Sequence, residues 1–408
     1  MKLITNRREL LAAAKNAAKI APTSSPLEIL KCILLSAGDG RLTIAATSIE
    51  TALECSIPAE IEEDGSTVVD AKLLCGMLDL LEGETVLLQM ESHVLSVKGK
   101  TAVYDVVVQD AGDFPRMEIP FPEDTVPVTG IPAMAKRTVF AVAQDNSKPM
   151  MKCVHLIFTS DGLKAVGSDS YRIAVAKGDS KSTGKVSFLM PAQSLNALAQ
   201  MVTNKDLLRV GSTGKTLVFM KADFLFSARL IEGEYFDADQ ILNRLQSGFT
   251  VLTDAEKLRQ AVSSVAVLQG KHTRFSIAFQ GSTVQLSYES EYGVSSMELE
   301  VVPLAGVPAG KYWYTPAKLM ECLRVLNGTL LLEVGRNGVL LMRTDDLICV
   351  QMAIREPGPI EIKSAKEPQM AKKAGPNMGK KDNVEKPESK PKCNGRKKKE
   401  EAARKAAA

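Results

Sequence analysis

One segment of this 408-residue chain occurs more than once, and its spacing limits the architecture more than any other feature. Residues 30–48 read LKCILLSAGDGRLTIAATS and residues 151–169 read MKCVHLIFTSDGLKAVGSD, so the two copies begin 121 positions apart. A fainter third copy, TRFSIAFQGSTVQLSYESE, occupies residues 273–291. A period of about 120 residues is too long for a solenoid repeat and has the size of a small domain. The sequence therefore predicts three copies of one domain.

The pattern of apolar residues predicts similar elements in each copy. Each copy has two helical segments and two runs of short alternating strands, which is typical of an α+β fold with helices packed on antiparallel sheets. Stretches near 120–128 and 243–250 mark the boundaries. The predicted domains are 1–126, 127–248 and 249–356, followed by a tail at 357–408. The predicted helices span residues 6–21, 71–83, 133–146, 192–204, 254–268 and 315–326.

The tail differs from the rest of the chain in composition and charge. Residues 357–408 hold 15 Lys or Arg and 7 Asp or Glu, so the net charge of +3 leaves a balance of −5 for residues 1–356. The tail has few large apolar residues and is predicted to be disordered. It either solubilises the protein or tethers nucleic acid weakly, and the sequence does not decide between the two. An acidic body can bind DNA only through positive charge concentrated on one surface.

The residue types that carry most enzyme and metal chemistry are scattered. The seven cysteines form no CxxC pair and several lie in apolar strands, which predicts buried free thiols. The histidines His93, His155 and His272 lie far apart, so we predict no metal site, no catalytic residue and no cofactor. No apolar run reaches the about 18 residues that cross a bilayer, and no leader opens the chain, which favours a soluble, cytoplasmic protein without membrane partners.

One stretch resembles a nucleotide-binding loop. VGSTGKTLVF at 210–219 contains Gly-Lys-Thr, but Arg209 occupies the position where the pattern requires the first Gly. The residues after Lys215 read as a strand, whereas a phosphate loop leads into a helix. We therefore predict a hairpin turn. A nucleotide-dependent DNA-processing protein that uses residues 211–216 is the enzyme alternative.

The first helical segment carries a basic stripe. Arg8, Lys15 and Lys19 share one side of the predicted helix, opposite the apolar side that contains Leu10 and Ala14. Such a stripe is either a solvated surface or a surface that faces phosphates, and both interpretations stay open from the residues alone.

Several motifs, in order along residues 1–356, resemble the bacterial sliding clamp family, the β subunit of DNA polymerase III. They are MKLITNRRELLAAAKNAAKIAP at the start, LEILKCILLSAGDGRLTIAATSIETAL, DAGDFPRM, VGSDSYRIAVAKG, LIEGEYFDADQIL and LICVQMAIRE. The resemblance implies a head-to-tail homodimer whose six domains form a ring, with helices around a central hole and sheets outside. It further implies a processivity factor without catalytic activity. A clamp-like recruitment protein that no longer loads efficiently, of mobile-element origin, is a second alternative.

The resemblance also implies partners and site residues. The partners are double-stranded DNA bound without sequence preference, the replicative DNA polymerase, the clamp loader and other proteins that carry a short peptide with a Gln and apolar anchors. The location would be the cytoplasm, in association with the nucleoid.

The implied DNA-facing residues are Arg8, Lys15, Lys19, Arg137 and Lys148. The implied peptide pocket comprises Met151, Ser168, Ser170, Tyr171, Arg172, Ile173, Val350, Met352, Ile354 and Arg355, with charge at its rim from Arg172 and Arg355. The implied dimer interface comprises Tyr104, Val106, Val267 and Leu268. Tyr171 replaces the family's usual His.

Overall fold

A single order of elements recurs along the chain in a computed structural model that describes residues 1–117, 119, 121–145 and 148–360. The order is a strand, a helix, four strands, a second helix and three strands, with one added strand in the third copy. The first copy contains β1 (Lys2–Asn6), α1 (Arg7–Ile20), β2 (Cys32–Gly38), β3 (Arg41–Thr47), β4 (Thr51–Glu63), β5 (Gly65–Asp70), α2 (Ala71–Leu80), β6 (Thr85–Glu91), β7 (Val94–Lys98) and β8 (Val103–Val107).

The second and third copies follow the same order, and a short extra helix lies between them. The second copy contains β9 (Val126–Val128), α3 (Ile131–Thr138), β10 (Cys153–Thr159), β11 (Gly162–Ser168), β12 (Arg172–Gly178), β13 (Val186–Pro191), α4 (Ala192–Ala199), β14 (Leu208–Thr213), β15 (Thr216–Lys221) and β16 (Phe224–Arg229). The extra helix is α5 (Ala238–Arg244). The third copy contains β17 (Ser247–Asp254), α6 (Ala255–Val265), β18 (Thr273–Gln280), β19 (Thr283–Ser290), β20 (Gly293–Glu300), β21 (Val302–Ala305), β22 (Ala309–Trp313), α7 (Pro316–Leu323), β23 (Thr329–Gly335), β24 (Leu340–Arg343) and β25 (Leu347–Gln351).

Polar caps let three of the strands turn directly into helices. The side chain of Asn6 accepts hydrogen bonds from the backbone N–H groups of Arg8 and Glu9 at the start of α1. Asp70 and Asp254 cap α2 and α6 in the same way. Each cap satisfies N–H groups that have no partner within the helix, and removing one costs about 1 kcal/mol.

The strands form three antiparallel sheets among the described residues, and two of these sheets continue from one copy into the next. The largest has the order β8-β7-β6-β1-β4-β16-β15-β14-β9, with β3, β2 and β5 attached beside β4. The second has the order β13-β10-β11-β12-β25-β24-β23-β17-β21, and the third has the order β20-β19-β18-β22. The joins between copies are the pairs β4 with β16 and β12 with β25.

The sheets are buried on both faces where the second and third copies meet. Along β12, Ala174 and Ala176 belong to the main core on the helix side, whereas Val175 and the partly buried Ile173 belong to a second apolar cluster on the other side. The second cluster includes Leu242 of α5, so α5 covers the face of the sheet opposite the other helices.

The predicted α+β fold of helices on antiparallel sheets is confirmed, and all six predicted helices are present with ends shifted by up to eight residues, the largest shift being at the end of α3. The run of strands after α1 contains four strands, because β5 follows β4 after a one-residue break. The division into three domains stays a prediction, and the predicted boundaries fall inside β9 and β17. The tail was predicted to be disordered, and its residues from 361 onward lie outside the described residues. None of the described helices is long and apolar enough to cross a membrane.

Candidate functional site

Six helices form one continuous row on the same side of the sheets. Helices α1 and α2, α3 and α4, and α6 and α7 pack in pairs. Lys19 of α1 donates a hydrogen bond to the carbonyl oxygen of Gln200, just after α4, over 2.6 Å. Arg172 donates to the carbonyl oxygens of Phe140, just after α3, and Lys318 of α7. The order across the molecule is therefore α2-α1-α4-α3-α7-α6.

This helix row is basic although the rest of the body is acidic. The six helices contain ten Lys or Arg and four Asp or Glu residues. Residues 1–356 as a whole carry a net charge of −5. The positive charge is therefore concentrated on the helices, as phosphate binding by an acidic protein requires.

The predicted DNA-facing residues of α1 lie on its exposed side. Arg8, Lys15 and Lys19 are all exposed. The Lys15 ammonium lies 2.9 Å from a carboxylate oxygen of Asp79 on α2. Partial burial lowers the pKa of Lys19, whose ammonium is held by Gln200. Surface pairs of this kind contribute little free energy, so these cations stay available to a phosphate.

The two predicted DNA-facing residues of the second copy differ from each other. Arg137 on α3 forms an ion pair with Asp346, with nitrogen and oxygen 2.5 Å apart. Lys148 is exposed and directly precedes Pro149. Arg137 therefore links the second and third copies, and Lys148 keeps its ammonium in solvent.

The predicted peptide pocket lies where β12 meets β25. Ile173 and Val350 are directly opposite each other in this pair and lie on the sheet face that α5 covers. Beyond β25, Met352 and Ile354 are 40% and 37% exposed. The backbone N–H of Met352 donates to the carbonyl oxygen of Tyr171 over 2.9 Å, which ties the two walls together. Partly exposed aliphatic and thioether side chains beside a buried apolar cluster provide an adaptable apolar cleft.

The remaining predicted pocket residues lie at the rim of the cleft or hold the backbone of the rim in place. Met151 is half-buried in the turn that precedes β10. Ser168 is buried, and its hydroxyl donates to the carbonyl oxygen of Arg172 over 2.8 Å. Ser170 adopts a positive φ of 72°, which is uncommon for a residue other than glycine. Tyr171 is 59% exposed and Arg355 is exposed.

The rim position expected for Arg172 is wrong. Its side chain is 7% exposed and points to the helix side of the sheet. The guanidinium donates to Phe140 over 2.6 Å and forms ion pairs with Glu321 of α7 and, at 3.2 Å, with Asp169. A guanidinium with this many acceptors is held in place, so Arg172 joins the second copy to the third beneath the cleft.

The predicted interface residues lie at the two free edges of the sheets. Tyr104 and Val106 are half-buried on β8, the last strand of the largest sheet. Val267 is 77% exposed and Leu268 is half-buried in the single 3-10 turn that follows α6. This turn packs against β20, the last strand of the smallest sheet. An unpaired edge strand is a template for pairing with another chain.

The nucleotide-loop alternative does not agree with the structure. Residues 211–213 end β14, Gly214 and Lys215 form the turn, and Thr216 begins β15, with Thr213 opposite Thr216 and Gly214 at a φ of 57°. This is a hairpin, as predicted, without the helix that a phosphate loop needs. Among the described residues, no group of three or more His, Cys, Asp or Glu is placed to hold a metal ion. Five of the six described cysteines are buried free thiols, and Cys75 is half-buried.

Sequence reasoning missed the polar residues that support the pocket. Asp169, Lys318 and Glu321 make the ion pairs around Arg172, and two of the three come from α7, about 150 residues further along the chain. Only the Asp at position 169, three residues before Arg172, gave a local signal, since Asp side chains commonly accept hydrogen bonds from the backbone two and three residues on.

Comparison with known proteins agrees with this geometry. Residues 1–118 match the family model for the N-terminal domain of the DNA polymerase III beta subunit, and residues 125–237 match the model for its central domain. A beta sliding clamp of Synechococcus elongatus is 23% identical over 344 residues, which cover 81% of this chain and 91% of the relative.

Solved structures show the same fold. A putative DNA polymerase III beta subunit of Eubacterium rectale superposes with a TM-score of 0.81 at 20% identity, covering 87% of this chain and 99% of its own. The sliding clamp of Bacillus subtilis superposes with a TM-score of 0.79 at 19% identity, covering 88% and 100%. The two matched family models together span more than half of the sequence. The chain belongs to the DNA polymerase III beta subunit family.

Proposed function

We propose that this protein is a DNA sliding clamp: two copies join head to tail into a closed ring that encircles duplex DNA and tethers the replicative polymerase, without catalysing a reaction. The observation that carries the proposal is the way in which the copies of the repeat are joined. In both joins, the third strand after the first helix of one copy pairs with the last strand of the next copy, as β4 does with β16 and β12 does with β25.

The same rule predicts a third join that one chain cannot complete. The equivalent strand of the third copy is β20, and the remaining last strand is β8. Both are free edges at the ends of different sheets. A second chain would supply β8 to β20 and receive β8 on its own β20, which closes the ring and leaves neither edge unpaired.

The two observed joins also predict the register of the third. The hairpins that lead into β16, β25 and β8 have two-residue turns, and the first residues after these turns, Phe224, Leu347 and Ala102, are equivalent. The residue two positions after each of these first residues pairs with the same structural position in the neighbouring copy. The observed pairs at this position are Phe226 with Leu53 and Cys349 with Ala174.

By this equivalence, Tyr104 lies opposite Ser295 of a second copy. Both are half-buried, and the Ser295 hydroxyl donates to the carbonyl oxygen of Val265 on α6, so it lies on the helix side of β20. Tyr104 packs against the main core on the helix side of its own sheet. The two helix-facing sides therefore match, and Val267 and Leu268 would stand next to Tyr104 and Val106.

The basic helix row supplies the contact with DNA. Lys and Arg on these helices would neutralise phosphates without reading base edges, and contacts that carry no sequence information permit sliding. The acidic remainder of the body disfavours DNA on the outer surface. Partner proteins, including the polymerase and the clamp loader, would insert a peptide with apolar anchors into the cleft at Ile173, Val350 and Met352. Such a protein acts on the nucleoid in the cytoplasm.

Retention on DNA of different topology tests this function. The labelled protein is loaded onto a nicked circular plasmid by its clamp loader and ATP, freed from unbound protein by gel filtration, and half of the sample is then cut once with a restriction enzyme. We expect the protein to stay on the circle and to leave the linear molecule, because a ring slides off an open end. Equal retention on both molecules, or equal escape from both, would contradict the proposal.

A further inference from the structure

Tyr171, at the rim of the cleft, is held by a cation from the opposite side of the sheet. The Lys318 ammonium of α7 lies 4.7 Å from the centre of the Tyr171 ring. An ammonium over the face of an aromatic ring is attracted by the negative face of the ring. Helix α7 belongs to the helix row, whereas Ile173 and Val350 of the cleft lie on the other face of the sheet. Lys318 therefore draws the ring away from the cleft.

A single carboxylate organises both partners of this contact. One oxygen of Asp169 accepts hydrogen bonds from the backbone N–H groups of Tyr171 and Arg172, and each donor–acceptor distance is 3.0 Å. Its other oxygen lies 2.5 Å from the Lys318 ammonium. The Asp169 side chain is only 9% exposed, so solvent screens these interactions weakly. Asp169 thus fixes the backbone of Tyr171 and also the cation that holds its ring.

Without Lys318, the ring has apolar surface within reach. The carbonyl oxygen of Tyr171 accepts the N–H of Met352, so the two residues are adjacent at the rim. Met352 and Ile354 are 40% and 37% exposed, and covering them with the ring would remove apolar surface from water. That surface is the same one that an incoming apolar anchor would cover.

We propose that Lys318 is a positioning residue for partner binding: it holds Tyr171 on the helix side of the sheet and so keeps the apolar cleft open for a partner peptide. The inference rests on the proposed function, because it concerns the occupant of that cleft. When the Tyr171 ring leaves Lys318, it covers Met352 and Ile354 and closes the cleft. Lys318 touches no part of the peptide and acts through the ring alone.

A double-mutant cycle tests the inference. Binding of a fluorescein-labelled pentapeptide with an N-terminal Gln and two C-terminal apolar residues, Gln-Leu-Ser-Leu-Phe, is measured by fluorescence anisotropy. We expect Lys318→Met to weaken binding about two- to fivefold, the worth of one partly exposed cation–π contact. In the Tyr171→Ala background the same change should have no effect, because no ring remains to swing. Lys318→Arg should restore binding, since a guanidinium also stacks on a ring.

Lys221 provides a matched control. Its ammonium lies 2.6 Å from a carboxylate oxygen of Asp206 and 5.8 Å from the centre of the Phe224 ring, but it lies at the end of β15 and not at the cleft. Lys221→Met should therefore leave peptide affinity unchanged. Equal weakening by Lys318→Met with and without Tyr171, or no weakening at all, would overturn the inference. If the unaltered protein does not bind the peptide, or Met352→Ala has no effect, the cleft itself is assigned wrongly.

Discussion

Arg172 is the residue whose role the sequence concealed most completely. Strand β12 is buried on both faces, so the alternation of its side chains does not indicate which face an arginine takes. The family resemblance implied that Arg172 lies at the rim of the pocket, in keeping with the usual exposure of cationic side chains. Its acceptors include Phe140, Asp169 and Glu321, and two of these are distant in the chain, so no local pattern could have shown them.

This position predicts a large loss of stability for Arg172→Met. The change removes the partner of Asp169 and Glu321, and breaking a buried ion pair costs about 3–5 kcal/mol. We expect a value near 3 kcal/mol, because the Glu321 side chain is 41% exposed and solvent compensates part of the loss. Urea unfolding measures it. The matched control Arg355→Met, at an exposed arginine, should stay within about 0.5 kcal/mol. Equal losses for both variants would refute the structural role of Arg172.

At the scale of elements, apolar periodicity predicted the six helices of the row and missed α5. The six helices of the row were predicted because each has an apolar side at helical spacing. Helix α5 has seven residues, of which only Ala238 is buried, and a helix of that length is not stable by itself. It forms because Leu242 and Leu245 pack on the outer apolar cluster, a tertiary contact that the sequence does not reveal.

The proposed pairing of β8 with β20 predicts a specific cross-link between copies. In the inferred register, Val103 lies opposite Ser296 of a second chain, and both are exposed on the outer face. Directly opposite Cβ atoms in antiparallel strands lie about 4.5–5.5 Å apart, close enough for a disulfide after a small adjustment. The variant Val103→Cys with Ser296→Cys should form a covalent dimer under mild oxidation, seen by non-reducing electrophoresis.

The control for this experiment is a second cysteine pair that the inferred register does not place opposite each other. Val107→Cys with Ser296→Cys moves one thiol four residues along β8, about 13 Å, and should not cross-link. Among the described cysteines, burial raises the pKa of Cys55 to about 12 and that of Cys153 to about 11, which keeps both in the unreactive neutral form. Similar yields from both cysteine pairs would rule out the register.

For the whole molecule, the sequence predicted the number of copies but not how they are joined. The repeat near 120 residues indicated three similar units, and the apolar pattern within each unit predicted the α+β fold class. The joins pair strands that are far apart in the chain, such as β4 with β16, and apolar alternation contains no information about such partners. The charge balance is a similar case: a body of −5 predicted that any DNA-binding surface is local, and the basic helix row is where we propose that it lies.

Charge reversal on α1 tests whether that surface meets DNA. The triple change Arg8→Glu, Lys15→Glu and Lys19→Glu should weaken binding to a short duplex, measured by fluorescence anisotropy, far more at 50 mM than at 200 mM salt. Each lost phosphate contact lowers the slope of log K against log salt by about 0.9, so the slope should fall by almost three.

The matched control reverses three basic residues on the other side of the sheets. Lys177, Lys185 and Arg209 are exposed, and they line cavities on the sheet face opposite the helix row. Changing all three to Glu alters the net charge by the same amount but should leave the salt slope unchanged, because the affected charges would lie outside the ring. A general effect of net charge would instead weaken DNA binding equally in both variants. That result would contradict the proposal that the helix row contacts DNA.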